Sequence, residues 1–180
     1  MSILLRSEIL SGYTDGSIII EPFNEEQLGP NSYDVRLDDE LLVYDMEKCQ
    51  VLDCAQNNDT KTLKIPSEGY VLQPNILYLG STIERAGSNY YIPMYEGRSS
   101  MARLGVQSHI SAGFGDVGFK EKWTLEITVV HPLRIYPGIR IGQIYFQNVN
   151  QSSNDVRNLY KGKYIGQNGP QASKSYLDSK

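Results

Sequence analysis

The chain of 180 residues has 40% hydrophobic and 21% charged residues, which is typical of one soluble globular domain that spans residues 1–180 and buries a sizeable core. Its formal net charge of −4 argues against a broad nucleic-acid-binding face but permits a local basic pocket. Near the N-terminus the apolar run is short and is interrupted by Arg6 and Glu8, so we expect no signal peptide, no membrane span and a cytoplasmic location.

In chain order, the first predicted element is a short helix over residues 4–11 that ends at Gly12. Residues 53–62 are polar and predict a loop, and residues 98–104 predict a second short helix capped by Ser99 or Ser100. Short segments rich in β-branched and aromatic residues predict strands: SIIIEPF, SYDVRL, ELLVYD, GYVLQP, ILYLGSTI, NYYIPMYE, WTLEITVV, LRIYP and RIGQIYFQNV. The pattern indicates a mostly β, antiparallel fold, either a sandwich, a jelly roll or a distorted barrel.

The C-terminal stretch and the two cysteines carry weaker signals. From Asn148 onward the hydrophobic periodicity is lost, which is typical of a frayed tail or of an arm that orders over a ligand. Cys49 and Cys54 lie in a polar stretch without a neighbouring histidine, and we interpret both as free thiols.

The segment GRSSMARLG at residues 97–105 places Ser99 and Ser100 between Arg98 and Arg103. Two guanidinium groups and two small hydroxyls so close together are typical of a site for a phosphate-rich ligand. The alternative is an ordinary exposed helix start.

The segment WTLEITVV at residues 123–130 alternates apolar and polar side chains, as a half-buried strand does. Glu126 falls on the polar face. It is either a solvated surface glutamate or a carboxylate on the wall of a cavity, kept from bulk water so that it can exchange protons with a ligand.

The segment SHISAGFGDVGF at residues 108–119 is rich in glycine. It predicts either a simple turn or a loop whose backbone approaches a ligand closely, with Asp116 accepting a hydrogen bond from a sugar hydroxyl. His109 and His131 lack the H-x-E and P-C-x-x-C context of the zinc nucleobase deaminases, so we expect no zinc site.

Five segments taken in order resemble the dCTP deaminase branch of the dUTPase superfamily. They are GPNSYDVRL, GRSSMARLG, SHISAGFGDVGFKEKWTLEI, PGIRIGQIYF and KYIGQNGP. The resemblance implies a distorted antiparallel jelly roll or β-barrel with short helices, a homotrimer with active sites between subunits, and an arm at about 150–180 that closes over the nucleotide.

The resemblance also implies roles for individual residues. Glu126 corresponds to the catalytic carboxylate, with Ser99 and Arg103 around the reacting base. Asp116 corresponds to the residue that contacts the 3′-hydroxyl, and Phe119 to an aromatic that packs under the sugar and excludes a 2′-hydroxyl. The remaining substrate-binding residues implied are Arg98, Ser100, Ala112, Gln143, Lys163, Tyr164 and Gln167.

The main functional expectation is hydrolytic deamination of dCTP to dUTP and ammonia without zinc, which feeds the synthesis of dUMP and dTTP. Mg²⁺ is expected to arrive with the triphosphate, and dTTP is expected as an inhibitor. One alternative is a bifunctional enzyme that gives dUMP and diphosphate. Gly113 favours this alternative, because it resembles the bifunctional members of the family, whereas a bulkier histidine is familiar at this position in the monofunctional bacterial enzymes. The same residues are compatible with a related activity, such as dCMP deamination or dUTP hydrolysis, and with a non-catalytic trimeric nucleotide sensor.

Overall fold

A computed structural model describes residues 2–149 and 159–178 of the chain. In these residues the helices are α1 (Arg6–Asp15), α2 (Ser99–Ala102) and two short 3₁₀ helices at Glu25–Gln27 and Ser175–Leu177. The strands are β1 (Ile18–Glu21), β2 (Tyr33–Arg36), β3 (Glu40–Tyr44), β4 (Thr60–Lys64), β5 (Tyr70–Leu72), β6 (Tyr78–Ser88), β7 (Tyr91–Gly97), β8 (Val106–Gln107), β9 (Lys122–Val129), β10 (Leu133–Ile135) and β11 (Arg140–Asn148).

The strands form antiparallel sheets that enclose one hydrophobic core. The largest sheet has the order β4-β3-β6-β9-β8, with β1 paired to the far end of β6. A second sheet has the order β2-β11-β7, and β5 pairs with β10. Buried side chains such as Val35, Leu125 and Ile144 come from both larger sheets. The predicted mostly β, antiparallel class is therefore confirmed.

Each of the predicted strand segments contains a strand, whereas β4 and β8 were missed. Strand β4 is a polar edge strand whose side chains are mostly exposed, and it pairs with β3 from Glu40↔Lys64 to Tyr44↔Thr60. It lacks the apolar alternation that marks a half-buried strand. The predicted loop at 53–62 is therefore wrong in its last residues, because β4 begins at Thr60.

The predicted ends of both helices are wrong. Helix α1 continues past Gly12 to Asp15 and ends at Gly16, which has a left-handed φ of 79°. Gly12 is buried because the helix packs closely on Ile18, whose Cδ1 would lie 2.8 Å from an added Cβ. In α2, Arg98 is the N-cap residue and no side chain caps the helix, so neither Ser99 nor Ser100 does so.

The described part of the C-terminal arm packs on the body of the protein. The hydroxyl of Tyr44 accepts a hydrogen bond of 3.1 Å from the backbone N–H of Ser173, and Ser175 Oγ donates to the carbonyl of Cys54 at 2.7 Å. Residues 150–158, 179 and 180 of the predicted arm lie outside the described residues.

Cys49 and Cys54 are free thiols. None of the described helices is long and apolar enough to cross a bilayer.

Candidate active site

A cavity of about 440 Å³ opens between β9, the glycine-rich segment and the C-terminal arm. Its walls combine apolar and aromatic side chains with a few polar groups, which is the usual composition of a small-molecule site. Six of the residues predicted for the site line this cavity: Ala112, Asp116, Phe119, Glu126, Tyr164 and Gln167.

Glu126 lies on the wall of this cavity. It projects from the face of β9 opposite to the buried Leu125 and Ile127, so the predicted alternation is confirmed. Its cross-strand neighbour on β6 is Leu79, which is buried and also borders the cavity. The partly buried carboxylate accepts a hydrogen bond of 3.2 Å from the backbone N–H of Ile110. Glu126 is therefore a partly buried carboxylate on the wall of a half-open cavity, with one oxygen held by a backbone donor.

The glycine-rich segment is held against β7 by main-chain hydrogen bonds. The N–H of Tyr95 donates to the carbonyl of Gly113 at 2.7 Å, and the N–H of Gly115 donates to the carbonyl of Pro93 at 2.9 Å. At Gly113 an added Cβ would lie 2.5 Å from the Tyr95 carbonyl oxygen, so no side chain fits there in this arrangement. The pairing leaves Asp116 exposed at the cavity.

Aromatic rings that the sequence interpretation did not assign to the site form another part of the wall. Trp123 and Tyr160 border the cavity, and both contact the ring of Phe119 edge-on. The alternation in WTLEITVV predicts only that Trp123 lies on the apolar face of its strand. The signal that could have found it is the position of its ring at the start of β9, directly after the glycine-rich segment.

The C-terminal arm closes the cavity with Tyr164 and Gln167. Gln167 is 8% exposed; its Nε2 donates to the carbonyl of Lys122, while its Oε1 is buried without a hydrogen-bond partner among the described residues. That oxygen is available to accept from a ligand. Lys163 does not border the cavity and instead forms an ion pair with Asp178, whose carboxylate raises the pKa of the lysine ammonium.

The segment GRSSMARLG at residues 97–105, called here the arginine–serine segment, lies outside the cavity. Arg98 forms an ion pair with Asp34 at 3.2 Å, and Arg140 approaches the second carboxylate oxygen of Asp34 at 3.5 Å. Gln143 on β11 accepts a hydrogen bond of 2.8 Å from Ser32, which directly precedes β2. Three side chains of α2 and its C-cap are predicted to act around the base and the phosphates. All three are exposed: Ser99, Ser100 and Arg103. Within the described residues the predicted site is therefore divided into two groups.

His109 packs beside the site. Its ring meets Tyr95 edge-on at 5.6 Å, and its Nε2 lies 3.4 Å from a carboxylate oxygen of Glu96. No cluster of three or more His, Cys, Asp or Glu side chains suited to a metal ion occurs in the residues that the structure describes.

Comparison with known proteins places this geometry in a family. A family model described as dCTP deaminase-like matches residues 3–149. A relative from Clostridium acetobutylicum is 54% identical over 161 residues, 89% of this chain and 90% of the relative. Relatives from Clostridium botulinum and Leptospira biflexa are 50% and 48% identical over 176 residues, which cover 98% of this chain and 98% and 97% of the relatives. All three are named "dCTP deaminase, dUMP-forming".

A solved structure shows the same fold. The crystal structure of 2′-deoxycytidine 5′-triphosphate deaminase from Agrobacterium tumefaciens matches with a TM-score of 0.65 and 18% identity. The match covers 82% of this chain and 48% of that chain, so this chain spans about half the length of that protein. At this identity the likeness is evidence for the fold alone.

These findings confirm the resemblance that was seen in the sequence motifs and correct the expected product. The curated relatives carry names that specify dUMP, so the main expectation, deamination that stops at dUTP, is wrong. The bifunctional alternative agrees with those names.

Proposed function

The chain belongs to the dCTP deaminase-like family, and on that premise we propose that it converts dCTP and two molecules of water into dUMP, diphosphate and ammonia. The observation that carries this proposal is Glu126 on the wall of a cavity that it shares with Asp116 and Phe119. A carboxylate that faces a ligand-sized cavity, with a backbone donor fixing one of its oxygens, suits proton transfer to a bound base.

For the deamination step, Glu126 takes a proton from a water molecule that adds to C4 of cytosine, and passes that proton to N3. In the tetrahedral intermediate, Glu126 takes the proton of the C4 hydroxyl and passes it to the amino group on C4. The amino group then leaves as ammonia while the C4 carbonyl forms. Ser99 and the backbone at Ala112 position the water, and Arg103 stabilises the charge that develops. The atoms balance with the carboxylate acting as base and acid in turn.

For the second step, water attacks the α-phosphorus of the deaminated nucleotide, and diphosphate leaves. The names of the curated relatives support this step. Gly113 supports it as well, because the sequence resemblance associates glycine with bifunctional members, and this loop has no room for a Cβ beside the carbonyl of Tyr95. Arg98, Ser100 and Lys163 are the proposed phosphate contacts.

A shared site in a homotrimer is part of the proposal. Ser99, Ser100 and Arg103 are exposed and lie outside the cavity that holds Glu126. A second copy of the chain that presents this segment at the mouth of the cavity would complete the set. We propose that residues 1–180 form a single jelly-roll domain, that three such domains form the homotrimer, and that the arm at about 150–180 closes over the nucleotide.

Mg²⁺ is proposed to arrive with the substrate. The described residues offer no cluster of three or more side chains for a metal, and Mg²⁺ prefers phosphate oxygens and water as ligands. Bound in that way, it neutralises charge on the triphosphate. The absence of zinc chemistry and the inhibition by dTTP stay predictions.

The proposed function is tested by incubating the protein with dCTP, with and without Mg²⁺, and separating dUTP, dUMP and dCMP by chromatography. We expect dUMP, diphosphate and ammonia in equal amounts, and conversion at least about 10³-fold slower in a parallel preparation of Glu126→Gln. Accumulation of dUTP without dUMP would contradict the second step. Tight dCTP binding without conversion would favour the nucleotide sensor.

A further inference from the structure

Trp123 is held in one orientation at the start of β9. Its side chain is part of the core, with 6% exposure. The indole N–H donates to the carbonyl of Ala86 at 2.9 Å, and the backbone N–H donates to Thr82 Oγ1 at 2.8 Å. The ring also stacks on Tyr95 with 6.2 Å between centroids. Because its only polar group is bonded and its ring is buried against Tyr95, the indole is a rigid part of the cavity wall.

Phe119 rests on this rigid indole. Its ring meets Trp123 edge-on at 5.4 Å, and Tyr160 lies against it at 5.7 Å. The backbone of Phe119 is confined too, because an added Cβ at Gly87 would lie 1.8 Å from its carbonyl oxygen. The Phe119 ring is therefore packed against two aromatic rings, and its backbone is confined by β6.

The loop that carries Asp116 rests on the same indole. A Cβ added at Gly115 would lie 2.5 Å from Cη2 of Trp123 and 2.7 Å from the carbonyl oxygen of Pro93. Only glycine fits between these two groups, so the loop contacts the ring directly. Asp116 is the next residue along the chain and borders the cavity.

We propose that Trp123 is a positioning residue that sets the preference of the cavity for 2′-deoxyribose over ribose. This inference rests on the proposed function, in which Asp116 binds the 3′-hydroxyl and Phe119 packs under the sugar. Both residues are supported by Trp123. An added 2′-hydroxyl needs Phe119 to withdraw, and the indole behind it prevents that movement. A smaller side chain at position 123 leaves a void into which Phe119 can retreat.

The test compares kcat/KM for dCTP and for CTP in Trp123→Phe and Trp123→Leu. We expect the dCTP/CTP ratio to fall by about ten-fold or more, the scale on which a pocket discriminates one small group. The fall should be larger for leucine, and kcat for dCTP should change less than the ratio. Leu125→Ala is the matched control, because Leu125 is buried on the same strand and does not border the cavity. It should lower thermal stability and leave the ratio unchanged.

A ratio in the Trp123 variants that stays within about two-fold of wild type would overturn the inference, since a pocket discriminates one small group by about ten-fold or more. If Trp123→Leu does not fold, Trp123→Phe decides, because it keeps an aromatic ring in the core.

Calorimetric titration separates this inference from the proposed function. We expect Glu126→Gln to bind dCTP more tightly than CTP, and Glu126→Gln/Trp123→Phe to lose most of that preference. An equal preference in both proteins would overturn the inference. The two ideas can also fail separately. If the wild-type protein releases no ammonia from dCTP, the proposed function is refuted. If the binding preference for dCTP over CTP still depends on Trp123 in that case, the role of Trp123 stands.

Discussion

The backbone N–H of Ile110 donates a hydrogen bond of 3.2 Å to Oε2 of Glu126. This contact joins the glycine-rich segment to β9 and leaves the other carboxylate oxygen for a ligand. It also makes glutamine a conservative replacement, because an amide oxygen can accept the same bond.

Glu126→Gln is therefore expected to remove proton transfer while preserving the loop. We expect kcat for dCTP deamination to fall by about 10³-fold or more, in the range for removal of a general acid–base. The dissociation constant for dCTP, measured by calorimetry, should change little. Glu68→Gln is the control, since Glu68 is exposed and does not border the cavity. Near-normal turnover in Glu126→Gln would remove this residue from the mechanism.

Mixing inactive variants tests whether the site is shared between copies. Glu126→Gln and Arg103→Ala alter residues of the two separate groups, so a trimer that contains both variants can restore one complete site. Refolding the two together should recover about a quarter of wild-type activity if subunits mix at random in a closed trimer.

The matched control mixes Glu126→Gln with Asp116→Ala, whose residues border the same cavity of one chain. No complete site can form in that mixture, and we expect no recovery. Equal results from the two mixtures would argue against a shared site.

Gly87 is expected to be intolerant of any side chain. An added Cβ would lie 1.8 Å from the carbonyl oxygen of Phe119, so alanine must push the Phe119 loop away from β6. We expect Gly87→Ala to lower the free energy of unfolding by about 2–3 kcal/mol, as severe overpacking does, and to raise KM for dCTP. Urea denaturation measures the first effect. Gly169→Ala is the control, because no atom of the described part of the chain lies within 4 Å of its added Cβ. Equal stabilities of the two variants would contradict this account.

The ion pair between Asp38 and Lys122 should contribute stability that depends on pH. Partial burial raises the pKa of Asp38, but the 2.7 Å hydrogen bond from Lys122 and the N–H of Asp39 outweigh it, so that the pKa lies below the usual 3.8. A lowered folded-state pKa stabilises the protein above the unfolded-state pKa, and that contribution is lost as pH falls through the folded-state value.

We therefore expect Asp38→Asn to lower the free energy of unfolding at neutral pH by about 0.5 kcal/mol, after allowance for solvent screening. The difference from wild type should shrink as the pH falls below 3.8. Urea denaturation at a series of pH values measures it. A difference that stays constant down to the acid limit would show that packing, and not charge, is the cause.

Much of the fold could be predicted from local pattern. The alternation in WTLEITVV placed Glu126 on the face opposite to Leu125 and Ile127, and the structure has that arrangement. Successive side chains of a strand point to opposite faces whatever the strand pairs with, so this pattern is visible in a single segment. The polar edge strand β4 has no such pattern, because it exists through its pairing with β3.

The sequence by itself determined the β-rich class, the face on which Glu126 lies and, through its motifs, the family. Only the tertiary structure decided which of the predicted residues share a cavity, that Arg98 is paired with Asp34 away from it, and that Trp123 supports both Phe119 and Gly115. The physical reason is that side-chain periodicity is set by neighbours in the chain. A cavity is instead set by the packing of segments far apart in sequence, and a single-chain pattern carries little information about those distances.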